Sequence, residues 1–128
     1  MKIYIAHSRD YDYQNELYLP IKNSDIFKEH EFILPHESNN YKHDRDFYKN
    51  IDLVIAEVSF PSTGLGIELG FLYDDNKPIY CIHQTDKKFS GSINVITKNI
   101  YGYNSQDEMV EIIKEIIERV WFPFFIAT

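Results

Sequence analysis

The chain has 128 residues, a formal net charge of −7 and 44% hydrophobic residues. That length and apolar content suit one folded domain, residues 1–128, with its own core, and exclude a disordered chain. The acidic balance, with no cluster of Lys and Arg to follow a phosphate backbone, argues against polymeric nucleic acid as a partner but leaves open a small anion held by backbone N–H groups.

The apolar, β-rich "KIYIA" (2–6) reads as a first strand. The run "MKIYIAHS" is too short for a secretory signal, and no segment has the apolar length of a membrane span, so no membrane partner is expected. A polar stretch from Asp10 to His30 follows, with Leu17, Leu19, Ile21, Ile26 and Phe27 available for a buried face and Pro20 dividing it. "EFILP" (31–35) is the second strand, ended by Pro35. "HESNNYKHD" reads as a loop, and "RDFYKNI" as one or two helical turns.

"LVIAEVS" (53–59) is the clearest buried strand. "TGLGIELGFLYDD" (63–75) turns into a helix that Asn76, Lys77 and Pro78 bring to an end. "PIYCIH" (78–83) is a fourth strand. Its Cys81 is the chain's single cysteine and so has no intramolecular disulfide partner, which fits a reducing, cytoplasmic setting. "QTDKKFSGS" is a loop and "NIYGY" (99–103) a short fifth strand. In "SQDEMVEIIKEIIERV" Ser105 and Glu108 match a capping box, and Met109, Ile112, Ile113, Ile116, Ile117 and Val120 form a helical apolar stripe. The tail "VWFPFFIAT" is apolar, short and interrupted by Pro123. Strands alternating with helices predict βαβ units and a mostly parallel five-stranded sheet covered on both faces. Ligands of such sheets bind beyond the carboxyl ends of the strands, which draws attention to the segments after Ala6, Pro35 and Ser59.

The segment after Ser59, "SFPSTGLGIELG", joins hydroxyls at Ser62 and Thr63 to Gly64 and Gly66, whose small size permits unusual dihedrals and close approach of a ligand to the backbone. With the free N–H groups of the following helix it reads as an anion cradle, although it lacks the lysine of a P-loop and the spacing of a dinucleotide fingerprint. Glu68 has two readings. It complements the helix dipole, or, with Gly66 and Gly70 clearing space around it, it attacks a sugar carbon.

The run "DLVIAEVSFPSTGLGIELG" resembles the signature of the nucleoside 2-deoxyribosyltransferase family, closest to its 2'-deoxynucleoside 5'-phosphate N-hydrolase branch. The matching positions are Asp52, Ala56, Glu57, Val58, Pro61, Ser62, Gly64, Gly66, Glu68, Leu69 and Gly70. The resemblance implies a flavodoxin-like (Rossmann-like) three-layer α/β sandwich that cleaves or transfers at the N-glycosidic bond of a 2'-deoxynucleoside or its 5'-monophosphate. It implies Glu68 as nucleophile, Asp44 as the acid that helps the base leave, with Asp46 close by as the other candidate, Tyr4 as the group orienting Glu68, and Ser62 as a phosphate ligand. Ser92 stands where the family places a further phosphate-binding serine, acting in the neighbouring subunit of a homodimer or larger homo-oligomer. No metal or organic cofactor is implied.

Where the family carries a glycine after its first strand, this chain has His7, followed by Ser8 and Arg9, which suit an anion. "IAHSRD" is also similar to the first strand of TIR domains, some of which cleave a nicotinamide glycosidic bond. A nucleotide-sensing module without turnover is a further alternative. The five histidines show no metal-ligand spacing. His36 and Glu37, beyond the second strand, read first as a polar loop and second as contacts to a base, and Tyr11, Tyr13 and Tyr18 read first as core or surface packing and second as walls of a base pocket. Asp52 reads as a cap or pairing group. Glu57, inside an apolar strand, needs a hydrogen-bond partner and reads as structural.

Overall fold

The computed structural model describes residues 1–37 and 45–127, with side chains for 1–37 and 46–121. Five strands, β1 (Lys2–His7), β2 (Glu31–Ile33), β3 (Leu53–Glu57), β4 (Ile79–Gln84) and β5 (Ile100–Tyr103), form one sheet in the order β2-β1-β3-β4-β5. Every pairing is parallel, where the sequence predicted a mostly parallel sheet. β2 stops two residues before Pro35, which has no N–H to give a neighbour.

Side chains alternate across the sheet and divide the core in two. Ile3, Ile5, Leu53 and Ile55 pack with Leu17, Ile21, Met109 and Ile113 on one face. Tyr4, Ala6, Val54 and Ala56 pack with Tyr48, Leu65, Leu69 and Leu72 on the other. Both faces are covered, so the strands read as continuous apolar runs. β1 leads to β2 on one side and β3 leads to β4 on the other. The crevice between the carboxyl ends of β1 and β3 is therefore the switch point at which ligands bind in such sheets.

The polar stretch after β1 winds as a π turn (Gln14–Tyr18) into α1 (Leu19–Lys22), followed by α2 (Ile26–Glu29). Pro20 stands where the two windings meet, and just before it the Leu19 N–H reaches back five residues to the Gln14 carbonyl. A single 3-10 turn, Arg45–Tyr48, precedes β3. α4 (Ile93–Ile96) is one turn inside a region read as loop and strand approach; four residues carry too little periodicity to be seen. α5 (Gln106–Ala127) opens with the Glu108 N–H donating to Ser105 Oγ at 3.1 Å, as the capping box requires. It continues past Pro123, where the sequence placed an interruption.

α3 (Thr63–Asp74) follows β3 and ends in a Schellman motif. The Asn76 N–H donates to the Tyr73 carbonyl and the Lys77 N–H to the Leu72 carbonyl, both at 3.0 Å. Asn76 adopts φ 58°, the left-handed region that a Cβ disfavours. Asn76→Gly should keep full stability, and Asn76→Ala should lose about 1 kcal/mol, read by urea denaturation.

Candidate functional site

The first turns of α3 carry the motif residues. Ser62 is the N-cap, and its Oγ accepts the Leu65 N–H at 3.3 Å, which leaves its own O–H proton to donate. No glycine has positive φ, so Gly64 and Gly66 supply an absent side chain and not an unusual dihedral. Glu68 lies in the second turn, 6% exposed, beyond the position at which it would complement the helix dipole. The Tyr48 hydroxyl donates to Glu68 Oε2 at 2.9 Å. Tyr4, buried in the middle of β1, meets the Tyr48 ring edge-on with centroids 5.6 Å apart. The structure thus gathers Tyr4, Tyr48 and Glu68 on one flank of α3. Sequence reasoning passed over Tyr48, since a lone aromatic in a short turn carries no periodic signal. Asp44, the expected acid, lies outside the described residues.

On the other flank, Ser62, Thr63, Gly66, Ser90 and Ser92 rim a cleft of about 430 Å³ floored by Leu65, Leu69 and Ile93. Two residues along a helix turn roughly 200°, so Gly66 and Glu68 look to opposite sides of the sheet-facing leucines. Ser62, the N-cap, stands at the end of the helix axis and on the rim of that cleft. Gly64 stands one turn above Glu68 towards the helix N-terminus, the direction in which helical side chains lean. A Cβ built there meets nothing within 4 Å. The same holds at Gly66 and Gly70.

The segment after β1 forms a polar and aromatic cluster. His7, 5% exposed, points Nδ1 at the Ser8 carbonyl at 2.7 Å and Nε2 at the Tyr18 hydroxyl at 2.6 Å. A carbonyl only accepts, so Nδ1 carries the proton, and in the neutral ring Nε2 accepts from Tyr18. Tyr18 Oη in turn accepts the His36 N–H at 3.0 Å. Tyr13 and His36 lie against the His7 ring, with centroids 4.6 and 5.1 Å away. Tyr11 stacks on Phe60 at 4.6 Å. Its buried hydroxyl has no hydrogen-bond partner among the described residues. Ser8 is buried, and its Oγ accepts the Asp10 N–H at 3.0 Å, whereas Arg9 is exposed. Glu37 pairs with Lys22, and Asp52 accepts the Lys2 N–H at 2.8 Å, the pairing role expected of it.

Glu57 meets its need for partners in full. The Ser59 N–H donates to Oε1 at 2.5 Å, and the Tyr103 hydroxyl donates to Oε2. Burial pushes this carboxyl above its ordinary range, against the pull of those two donors. Burial also pushes the Cys81 thiol up to about 12, with the Glu57 charge adding to it, so this cysteine is an inert core group.

Burial holds His7 down to about 4 from an ordinary 6.5. The folded pKa is depressed, so the stability His7 contributes is complete above 6.5 and is lost as pH falls towards 4, by up to about 3 kcal/mol. Urea denaturation across this range should show that loss, and the His7→Gln protein should lack it. Gly64→Ala has open space and helical backbone, and should gain about 0.5–1 kcal/mol in the same assay.

No family model matches the chain. Over 57 residues it is 33% identical to a Methanococcoides burtonii protein named, by inference, 2'-deoxynucleoside 5'-phosphate N-hydrolase 1, a stretch covering 44% of this chain and 47% of that protein. Over 93 residues it is 31% identical to the 5-hydroxymethyl-dUMP N-hydrolase of Tetraodon nigroviridis, covering 70% of this chain and 62% of that one. The chain thus spans less than two thirds of the length of each of these curated relatives. Its fold is similar to that of a CMP N-glycosidase from Clostridium botulinum, with TM-score 0.60 and 22% identity over 89% of this chain and 99% of the other. It is similar also to a conserved protein from Enterococcus faecalis, with TM-score 0.62 and 17% identity over 90% and 98%. Among the described residues no helix is long and apolar enough to cross a membrane. By its curated relatives and its parallel three-layer fold, the chain resembles the nucleoside 2-deoxyribosyltransferase family, on the side of the 2'-deoxynucleoside 5'-phosphate N-hydrolases.

Proposed function

We propose that the protein is an N-glycosidase that breaks the bond between base and sugar in a 2'-deoxynucleoside or its 5'-monophosphate, with Glu68 as nucleophile. The observation that carries this reading is a nearly buried carboxylate held by the Tyr48 hydroxyl beside the β1–β3 switch point. A carboxylate so held does not need to reorganise as positive charge develops on the sugar ring. Glu68 attacks the anomeric carbon, the C–N bond breaks, and its electron pair leaves with the base. Asp44 gives the base its proton and then takes one from the water that hydrolyses the sugar–enzyme ester; a second base in place of that water makes the reaction a transfer. Tyr4 packs behind Tyr48 and through it orients Glu68. Ser62, with the backbone at Gly64 and Gly66, holds the 5'-phosphate, and Ser8 and Arg9 add a donor and a positive charge from the first loop. No cofactor takes part.

Ser92 serves the neighbouring subunit's phosphate in a homodimer or larger homo-oligomer. One observation supports a subunit contact there: Ile67, Phe71 and Val95 on α3 and α4 are exposed. The surroundings of action are cytoplasmic.

The test is release of free base from a panel of nucleosides, their 5'-monophosphates and NAD, with and without a second base. A deoxynucleotide should release its base, and Glu68→Ala should lower the rate by at least about a thousandfold with the fold intact. Tyr48→Phe should lower it about tenfold, the worth of one hydrogen bond to a carboxylate. Binding without release across the panel would favour a nucleotide sensor, and release from NAD alone a TIR-like activity.

A further inference from the structure

Glu57 is a buried acid in an apolar strand, 1% exposed, for which the proposed reaction has no use. Alternation along β3 turns it to the α5 side of the sheet, away from α3 and Glu68. From there its two oxygens take one donor each, from different parts of the fold. The Ser59 N–H lies two residues along its own chain, and the Tyr103 hydroxyl stands at the end of β5. Ser59 is held a second time, because its Oγ accepts the Gln84 N–H at 2.7 Å at the end of β4. The residues on either side are fixed as well. The Val58 N–H donates to the Ile82 carbonyl at 2.9 Å, and Phe60 stacks on Tyr11. The chain from β3 to α3 is thus pinned at Val58, Ser59 and Phe60, and the next residues are Pro61 and the N-cap Ser62.

Two donors converging from opposite sides need a group with two acceptor oxygens. A carboxylate has them, and glutamine has one. An apolar side chain of the same size leaves both donors bare in the core. We propose that Glu57 is a positioning residue: by bridging the Ser59 amide and the Tyr103 hydroxyl, it sets the loop that presents Ser62 to the substrate's 5'-phosphate. The proposal rests on the reading of Ser62 as a phosphate ligand.

The experiment compares the full chain with Glu57→Gln and Tyr103→Phe, which keep the side-chain volume. Hydrogen exchange should quicken about tenfold at the amides of Ser59 to Leu65 in both variants, with the amides of Ile79 to His83 unchanged. KM for a deoxynucleoside 5'-monophosphate should rise about tenfold, with kcat and the kinetics of the unphosphorylated nucleoside nearly unchanged. Exchange that quickens everywhere alike, or not at all in the loop, overturns the proposal. So does an equal loss on both substrates. A wild-type protein that releases no base sinks the reaction and not this proposal. Calorimetry with the same monophosphate then decides it: about tenfold weaker binding in both variants supports it, and unchanged binding overturns it.

Discussion

A parallel sheet buried on both faces has no room for a polar side chain along the length of its central strands. From Ile3 to Ala6 and from Leu53 to Ala56 every side chain is apolar or, at Tyr4, aromatic, and all are buried. Polar chemistry is pushed to the carboxyl ends. There the two central strands finish on His7 and Glu57, which face each other in register, both buried. Each is accommodated by hydrogen bonds that also fold the loop after it: His7 through Ser8 and Tyr18, Glu57 through Ser59 and Tyr103. The loops around the crevice inherit their shape from groups the core could not otherwise hold.

The same constraint explains what could be read from the sequence. The strands were legible because continuous burial writes continuous apolar runs, α5 because it turns one apolar stripe inwards, and α3 because Asn76, Lys77 and Pro78 mark its end. The Schellman turn at Asn76 and the cap at Ser62 left local signatures too. The functional motif was legible as a string, while its three-dimensional sorting was not. Gly64, Gly66 and Glu68 sit within five residues, yet helical rotation sends Gly66 to the serine-rimmed cleft and leaves Gly64 above Glu68. Tyr48 joins Glu68 across twenty residues, and Tyr103 joins Glu57 across forty-six. Contacts of that span depend on tertiary packing and have no local pattern.

The neighbourhood of Glu68 shows how one helix can carry two surfaces. Leu65, Leu69 and Leu72 fasten α3 to the sheet, and a different polar environment lies on each side of that seam. One side offers a carboxylate backed by tyrosines, the other a row of hydroxyls. The two surfaces differ in chemistry although a single helix carries both.

The strand order also bears on how the molecule is assembled. β1 lies between β2 and β3, so it is an interior strand that precedes both of its neighbours in the chain. Its neighbour β3 begins at Leu53, long after β1 ends at His7, and each crossover in between must loop back to close a parallel pair. During that interval Ile3, Ile5 and their neighbours have one edge uncovered. Synthesis from the amino end therefore leaves β1 with an open edge until β3 follows, and a chaperone or a fast-forming helical segment has its largest effect before β3 arrives.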